Sequence, residues 1–287
     1  MTCSVDDVRV WDAARRAELV RIQVPNLECR CVAITAVGDQ VVTGWSDGKV
    51  RSFGPETGGL KFCVPEAHHE DVTALALVEE GACSAPGSSK PWRMLSGGKD
   101  GRVRVWKVTP SHRALLQSMK EHRGAVTDIR VCSDKTQCIS ASKDGACLVW
   151  CLERYVRLAA LFESTMFSSA FYHPDGSQIV TSGSNAKITY WEAAAGDAIR
   201  VVSGGAAEIT SLSSTKSGDH FVSGAGDTSI KLWDYDGGIY LAEGWAHSGP
   251  VSAVAVSPDQ ATVVSVGEEG GIFLWPLPDE VVASGED

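Results

Sequence analysis

A tryptophan, or a residue standing in for one, ends a short apolar run about every 42 residues along this 287-residue chain. The positions are Trp11, Phe53, Trp106, Trp150, Trp191, Trp233 and Trp275, with successive spacings of 42, 53, 44, 41, 42 and 42. Each run follows a turn cluster, as in "SGGKDGRVRVW" or "SGAGDTSIKLW", and alternates apolar with polar residues, the two-residue period of a half-buried strand. A second strand ("TQCIS") precedes it, a third ("AVTDIRV") precedes that, and a poorer fourth ("YVRLAAL") follows the Trp. Four strands per repeat with little helical periodicity predict the blades of a β-propeller. Seven such runs predict an all-β, seven-bladed propeller over residues 1–276, followed by an acidic tail over 277–287. The opening "TCS" matches only the end of a second strand. The expectation is therefore a fragment that starts mid-blade, with a first blade lacking its first two strands and a last blade lacking its fourth. The 53-residue period places a Gly-, Pro- and Ser-rich insertion at 79–93, with residues 81–91 expected to be among the most mobile.

With 44% hydrophobic and 22% charged residues the chain can bury a large core, which excludes disorder as its main state. No apolar run approaches a bilayer span, and the N-terminus lacks the basic and apolar regions of a signal peptide. Nine cysteines without a C-x-x-C pair suit free thiols in a reducing compartment, so the cytoplasm is the expected location. A net charge of −10 argues against nucleic-acid binding. The charge is uneven: residues 99–157 carry 12 Lys and Arg against 6 acids, whereas 219–287 carry 12 acids against Lys231 alone. One arc is thus basic and another acidic, as partner-steering surfaces can be.

These runs resemble the WD-repeat (WD40) family. Trp11-Asp12 and Trp233-Asp234 keep its signature dipeptide, while Lys107, Cys151, Glu192 and Pro276 replace the Asp elsewhere. Within the family, "LVRIQVPN", "WSDGKVRSFGPETG", "YHP", "YWE", "HFVSGAGD" and "HSGPVSAV" resemble the two-propeller cilia- and flagella-associated WD-repeat proteins of the doublet-microtubule lumen, in their C-terminal propeller. The resemblance implies a structural scaffold that binds tubulin and neighbouring luminal proteins in the axoneme. It implies no catalysis, no cofactor, no membrane and no small-molecule substrate. The alternative is a soluble WD-repeat adaptor that recruits peptide substrates to a ubiquitin ligase or signalling complex.

One constellation imitates a catalytic triad. His122, Ser140 and Asp144 accompany Trp150; His68, Ser96 and Asp100 accompany Trp106; His247, Ser265 and Glu269 accompany Trp275. A triad is assembled once, whereas a set repeated in every blade serves the blade. The family resemblance implies a buried hydrogen-bond chain from Asp through His and Ser to Trp, and Asp144→Ala is expected to cost about 1–3 kcal/mol. The sets are incomplete elsewhere: Ser223, Asp227 and Trp233 have Gly205 in place of His, and Thr181, Asn185 and Trp191 have no His before them. Thr43 and Asp47 precede Phe53, and Thr2 and Asp6 fit the first blade only with a one-residue deletion. No metal site is expected, because adjacent His68 and His69 point to opposite faces of a strand and Cys29 and Cys31 lack a second pair. Trp45, Trp92 and Trp245 fall outside the repeat, and with Lys99, Arg102, Arg123 and Lys143 they are the candidate protein-binding residues.

Overall fold

The computed structural model describes residues 1–79, 91–278 and 281, so most of the 79–93 insertion, including nearly all of 81–91, lies outside the described residues. Among the described residues the strands are arranged in six antiparallel sheets. The chain divides into two compact units, Met1–Val131 and Cys132–Asp287.

In the first unit, β1 (Thr2–Cys3), β2 (Val5–Asp12), β3 (Ala17–Ile34), β4 (Val41–Trp45), β5 (Val50–Phe53) and β6 (Leu60–Val64) form one six-stranded sheet in chain order. The spacing predicts two blades here, and seven in all; the structure has six sheets. The cause is β3, which runs uninterrupted for 18 residues. Its first half pairs with β2 (Asp7↔Gln23 to Asp12↔Ala17) and its second half with β4 (Cys29↔Trp45 to Ile34↔Val41), so consecutive strand sets share one element. The short β1 also shows that the first set keeps part of its second strand, pairing Thr2 with Arg9 and Cys3 with Val8. A second sheet comprises β7 (Val72–Glu79), β8 (Trp92–Gly98), β9 (Val103–Val108) and β10 (Arg113–Met119), and β11 (Val126–Val131) is the unit's last strand.

In the second unit β12 (Gln137–Ser142), β13 (Ala146–Cys151) and β14 (Arg157–Phe162) pair in order. Then come β15 (Phe167–Tyr172), β16 (Gln178–Gly183), β17 (Lys187–Glu192) and β18 (Ala198–Ser203), followed by β19 (Ile209–Ser214), β20 (His220–Ala225), β21 (Ser229–Asp234) and β22 (Ile239–Trp245). A three-stranded sheet of β23 (Val251–Val256), β24 (Thr262–Gly267) and β25 (Ile272–Pro276) completes the described strands. The packed unit does not stop at 276: Leu277 and Val281 are buried with Val222, Val251 and Val263, because apolar side chains on this stretch can join the core that a wholly solvated tail would leave open.

Neighbouring sheets interlock through a repeated device. The first strand of a set carries a bulge where it meets the second, as at Val72/Ala74, Ile209/Ser211 and Val251/Ala253. At the bulged position Thr73 Oγ1 donates to the Val126 carbonyl at 2.5 Å and Thr210 Oγ1 to the Val251 carbonyl at 2.6 Å, each reaching the first strand of the next set. A glycine in the second strand admits that strand's valine: a Cβ on Gly97 would come within 2.6 Å of Val126 Cγ1, and one on Gly224 within 2.6 Å of Val251 Cγ1. Gly224→Val is therefore expected to lower unfolding stability by about 1–3 kcal/mol through overpacking. Urea titration of the intact chain checks this, and an unchanged midpoint would mean that β23 gives way freely.

Candidate interaction surface

Two of the repeated polar sets form buried hydrogen-bond chains. Trp106 Nε1 donates to Ser96 Oγ at 3.0 Å, Ser96 Oγ lies 2.8 Å from His68 Nε2, and His68 Nδ1 lies 2.9 Å from Asp100 Oδ1. Trp275, Ser265, His247 and Glu269 repeat the chain, with 2.9 Å from indole to hydroxyl and 2.8 Å from hydroxyl to imidazole. In the His247 chain every donor meets an acceptor when His is neutral and carries its proton on Nδ1, while at His68 the Arg104 guanidinium also lies 2.6 Å from Nδ1. Burial pushes the His68 pKa down and outweighs the pull of Asp100 in the other direction. Burial alone would raise the Asp100 carboxyl, but bonds from His68 and Arg104 overcome it and hold the group well below its usual range. A hydroxyl with no exposed surface, tied to an indole, is not available as a nucleophile: Ser96, Ser140 and Ser265 are all fully buried. In the fourth set Trp150 Nε1 donates to Ser140 Oγ at 2.8 Å and His122 is buried. Asp144, expected to be buried, is exposed, and its carboxylate caps the backbone N–H of Ala146 in its turn.

The turns that carry these acids need a left-handed residue one position after the Asp. Gly101 has φ +70°, and a Cβ there would stand 2.6 Å from the His122 carbonyl oxygen.

Where the set is incomplete, other residues fill the space. Glu163 stands 28 residues before Trp191, the same interval that separates His122 from Trp150 and His247 from Trp275. Its carboxylate accepts from Asn185 Nδ2 at 2.7 Å and Thr189 Oγ1 at 3.0 Å, replacing a His–Asp pair with a carboxylate–amide pair. Glu163→Ala should cost about 1–3 kcal/mol by leaving both donors unpaired; thermal unfolding reads it, and no change in midpoint would deny the substitution its role. Beside Gly205, Lys231 Nζ donates to the Gly204 carbonyl at 3.0 Å and pairs with Glu243 at 3.4 Å. Sequence reasoning missed a second regularity. Arg51, Arg104 and Lys231 each lie four residues after a turn Asp, and Arg51 and Arg104 bind theirs at 2.6 and 3.0 Å.

Of the candidate binding residues, two are corrected. Trp45 is fully buried, and its indole donates to Thr43 Oγ1 at 2.7 Å, supplying the bond that Phe53 cannot make. Trp92 is buried as the first residue of β8, its ring 6.3 Å from that of Phe62. A large aromatic beside an apolar cluster gains more from burial than from display. Trp245 is 61% exposed at the end of β22. Lys99, Arg123 and Lys143 are exposed, and Arg102 is half-buried with one guanidinium nitrogen 3.4 Å from Ser118 Oγ. Among the described residues, no group of three or more His, Cys, Asp or Glu side chains could hold a metal ion.

The family profile for the WD domain, G-beta repeat, matches residues 61–107, 113–151, 196–234 and 241–276, more than half of the chain. The chain belongs to the WD-repeat family. Its fold is accordingly an all-β WD-repeat propeller. Cilia- and flagella-associated protein 52 of Chlamydomonas reinhardtii is 45% identical over 275 residues, covering 96% of this chain and 43% of that protein. The protein of the same name from Homo sapiens is 38% identical over 278 residues, with the same two coverages. The WD-repeat chain thus spans less than half the length of these relatives.

Proposed function

We propose that this chain is a non-enzymatic scaffold of the ciliary or flagellar axoneme, the C-terminal propeller of a two-propeller protein, binding tubulin and neighbouring luminal proteins. The observation that carries this reading is similarity over 96% of the chain to relatives named for cilia and flagella, in green alga and human alike. The polar chains agree with it, because they spend every Ser and His of the triad-like sets on holding strands together. The work left for the molecule is rigid display of its loops. Tubulin is acidic, so the reading assigns first contact to cations at the turns: Lys99 between β8 and β9, Arg102 at the end of that turn, Arg123 before β11 and Lys143 between β12 and β13. The stretch from Asp219 onward, with Lys231 as its one base, turns away from tubulin or meets basic neighbours.

Exposed ion pairs each contribute about 0–1 kcal/mol, so a single propeller binds weakly and releases with salt, and tight attachment needs the companion propeller acting with it. Co-sedimentation with microtubules opened to expose their lumen tests the proposal. Reversing Lys99, Arg102 and Lys143 to Glu should weaken binding at low salt. Unchanged binding would overturn the basic contact, and failure of the intact two-propeller protein to bind even at low salt would favour the soluble adaptor.

A further inference from the structure

The outer strand β22 differs from a solvated edge. It lies last in the order β19-β20-β21-β22, and among the described residues β21 is its only paired strand. Its sequence, "IYLAEGW", holds no Lys, Arg or Pro, the residues that commonly blunt a sheet edge against pairing. Ile239, Tyr240, Leu241 and Trp245 are each at least half exposed. By contrast, the outer strands β14 and β18 carry Arg157 and Arg200.

The register arranges these groups. A shift between Leu232 and Trp233 sets Tyr240 opposite Trp233, Glu243 opposite Lys231 and Trp245 opposite Ser229, so that Tyr240, Glu243 and Trp245 share one face of the sheet. An acid thus lies between two exposed aromatic rings. Tyr240 already receives one cation, with Lys231 Nζ 5.3 Å from its ring centroid. The sequence around it is acidic: residues 219–278 carry eight Asp and Glu against Lys231, which is mostly buried against Glu243, and the nearby Arg200 of β18 is engaged by the Tyr235 and Asp236 carbonyls and the Tyr190 ring.

We propose that the β22 edge is a docking site for an extended basic segment of a partner protein, which adds as a fifth strand and sets Arg or Lys side chains over Tyr240, Glu243 and Trp245. Unpaired backbone groups on the edge supply main-chain hydrogen bonds, the aromatic rings supply cation–π contacts, and Glu243 supplies the charge that selects a base over an acid. None of these residues is among the tubulin-facing cations, so either proposal can fail alone.

The test uses the whole chain and a fluorescein-labelled ten-residue peptide that alternates Arg and Val, with a Glu and Val peptide as its counterpart. The Arg peptide should bind, raise its anisotropy and slow hydrogen exchange at the amides of residues 239–245. Leu241→Lys and Trp245→Lys, both at exposed positions, should each weaken binding by about tenfold or more, and the uncharged Trp245→Ser by less. Phe162→Lys, at an equally exposed position on β14, should leave binding unchanged. The proposal is overturned if the Arg peptide does not bind, if the Glu peptide binds as well, if the β22 variants bind like the wild type, or if the edge pairs with a second copy of the chain.

Discussion

Replacing Asp100 with alanine is expected to lower the unfolding free energy by about 3–5 kcal/mol. The carboxylate holds two buried groups at once. Its Oδ1 bonds His68 Nδ1 at 2.9 Å, and its Oδ2 pairs with Arg104 at 3.0 Å, where both side chains of the ion pair are about 8% exposed. Arg104 also donates to the Ala67 carbonyl at 2.9 Å, so the guanidinium cannot swing out to water without breaking a second bond. Removing the acid therefore strands a cation in the interior. Asp144→Ala is the control, because that residue is exposed; about 0.5–1.5 kcal/mol is expected there, below the value that burial would give. Acid should act on the His68–Asp100 set in the same direction. His68 has a folded pKa below 6.5 and Asp100 one below 3.8, so the unfolded chain binds more protons in both ranges and stability falls with pH. The His68 contribution declines as pH drops below about 6.5. The Asp100 contribution declines below about 3.8 and is lost as pH passes its folded value. Urea midpoints measured from pH 7 to pH 3 should fall in the wild type, and the part of the fall below about pH 3.8 that comes from Asp100 should be missing in Asp100→Ala.

Trp45→Ala should cost a similar amount, about 3–5 kcal/mol, for a different reason. The ring is fully buried among Val8, Ile22, Cys29, Val41 and Phe53, so truncation opens a cavity and leaves Thr43 Oγ1 without its indole donor. Trp45→Phe keeps most of the volume and isolates the lost bond, for which about 1 kcal/mol is expected. Trp245→Ala, by contrast, should leave the unfolding midpoint nearly unchanged, because that ring is 61% exposed. Equal effects at the two positions would contradict the division between core and display.

The strands were legible because a two-residue alternation ending in Trp survives even where the polar set decays, as in "SGSNAKITYW". The sheet count was less legible, because nothing in "LVRIQVPN" marks where one strand set ends and the next begins, and β3 runs through both. The sites divide in the same way. Ser96, His68 and Asp100 announce themselves by interval and type, whereas Glu163 keeps the interval and changes the type, so a search for histidine passes over it. Trp45 misled because its position at a turn suggested exposure. Only pairing shows that its indole reaches Thr43, two residues earlier on the same strand. Asp144 misled in the opposite sense, since its sequence context matches Asp100 but Leu148 stands where Arg104 supplies a buried cation to hold the acid inward.

Cross-linking in intact doublet microtubules, after detergent has removed the membrane and soluble matrix, tests the scaffold reading most directly. The full-length protein should remain with the axoneme and yield cross-links from Lys99 or Lys143 to acidic residues of tubulin. Its recovery in the soluble fraction, with no cross-link to tubulin from any lysine of this propeller, would contradict the account.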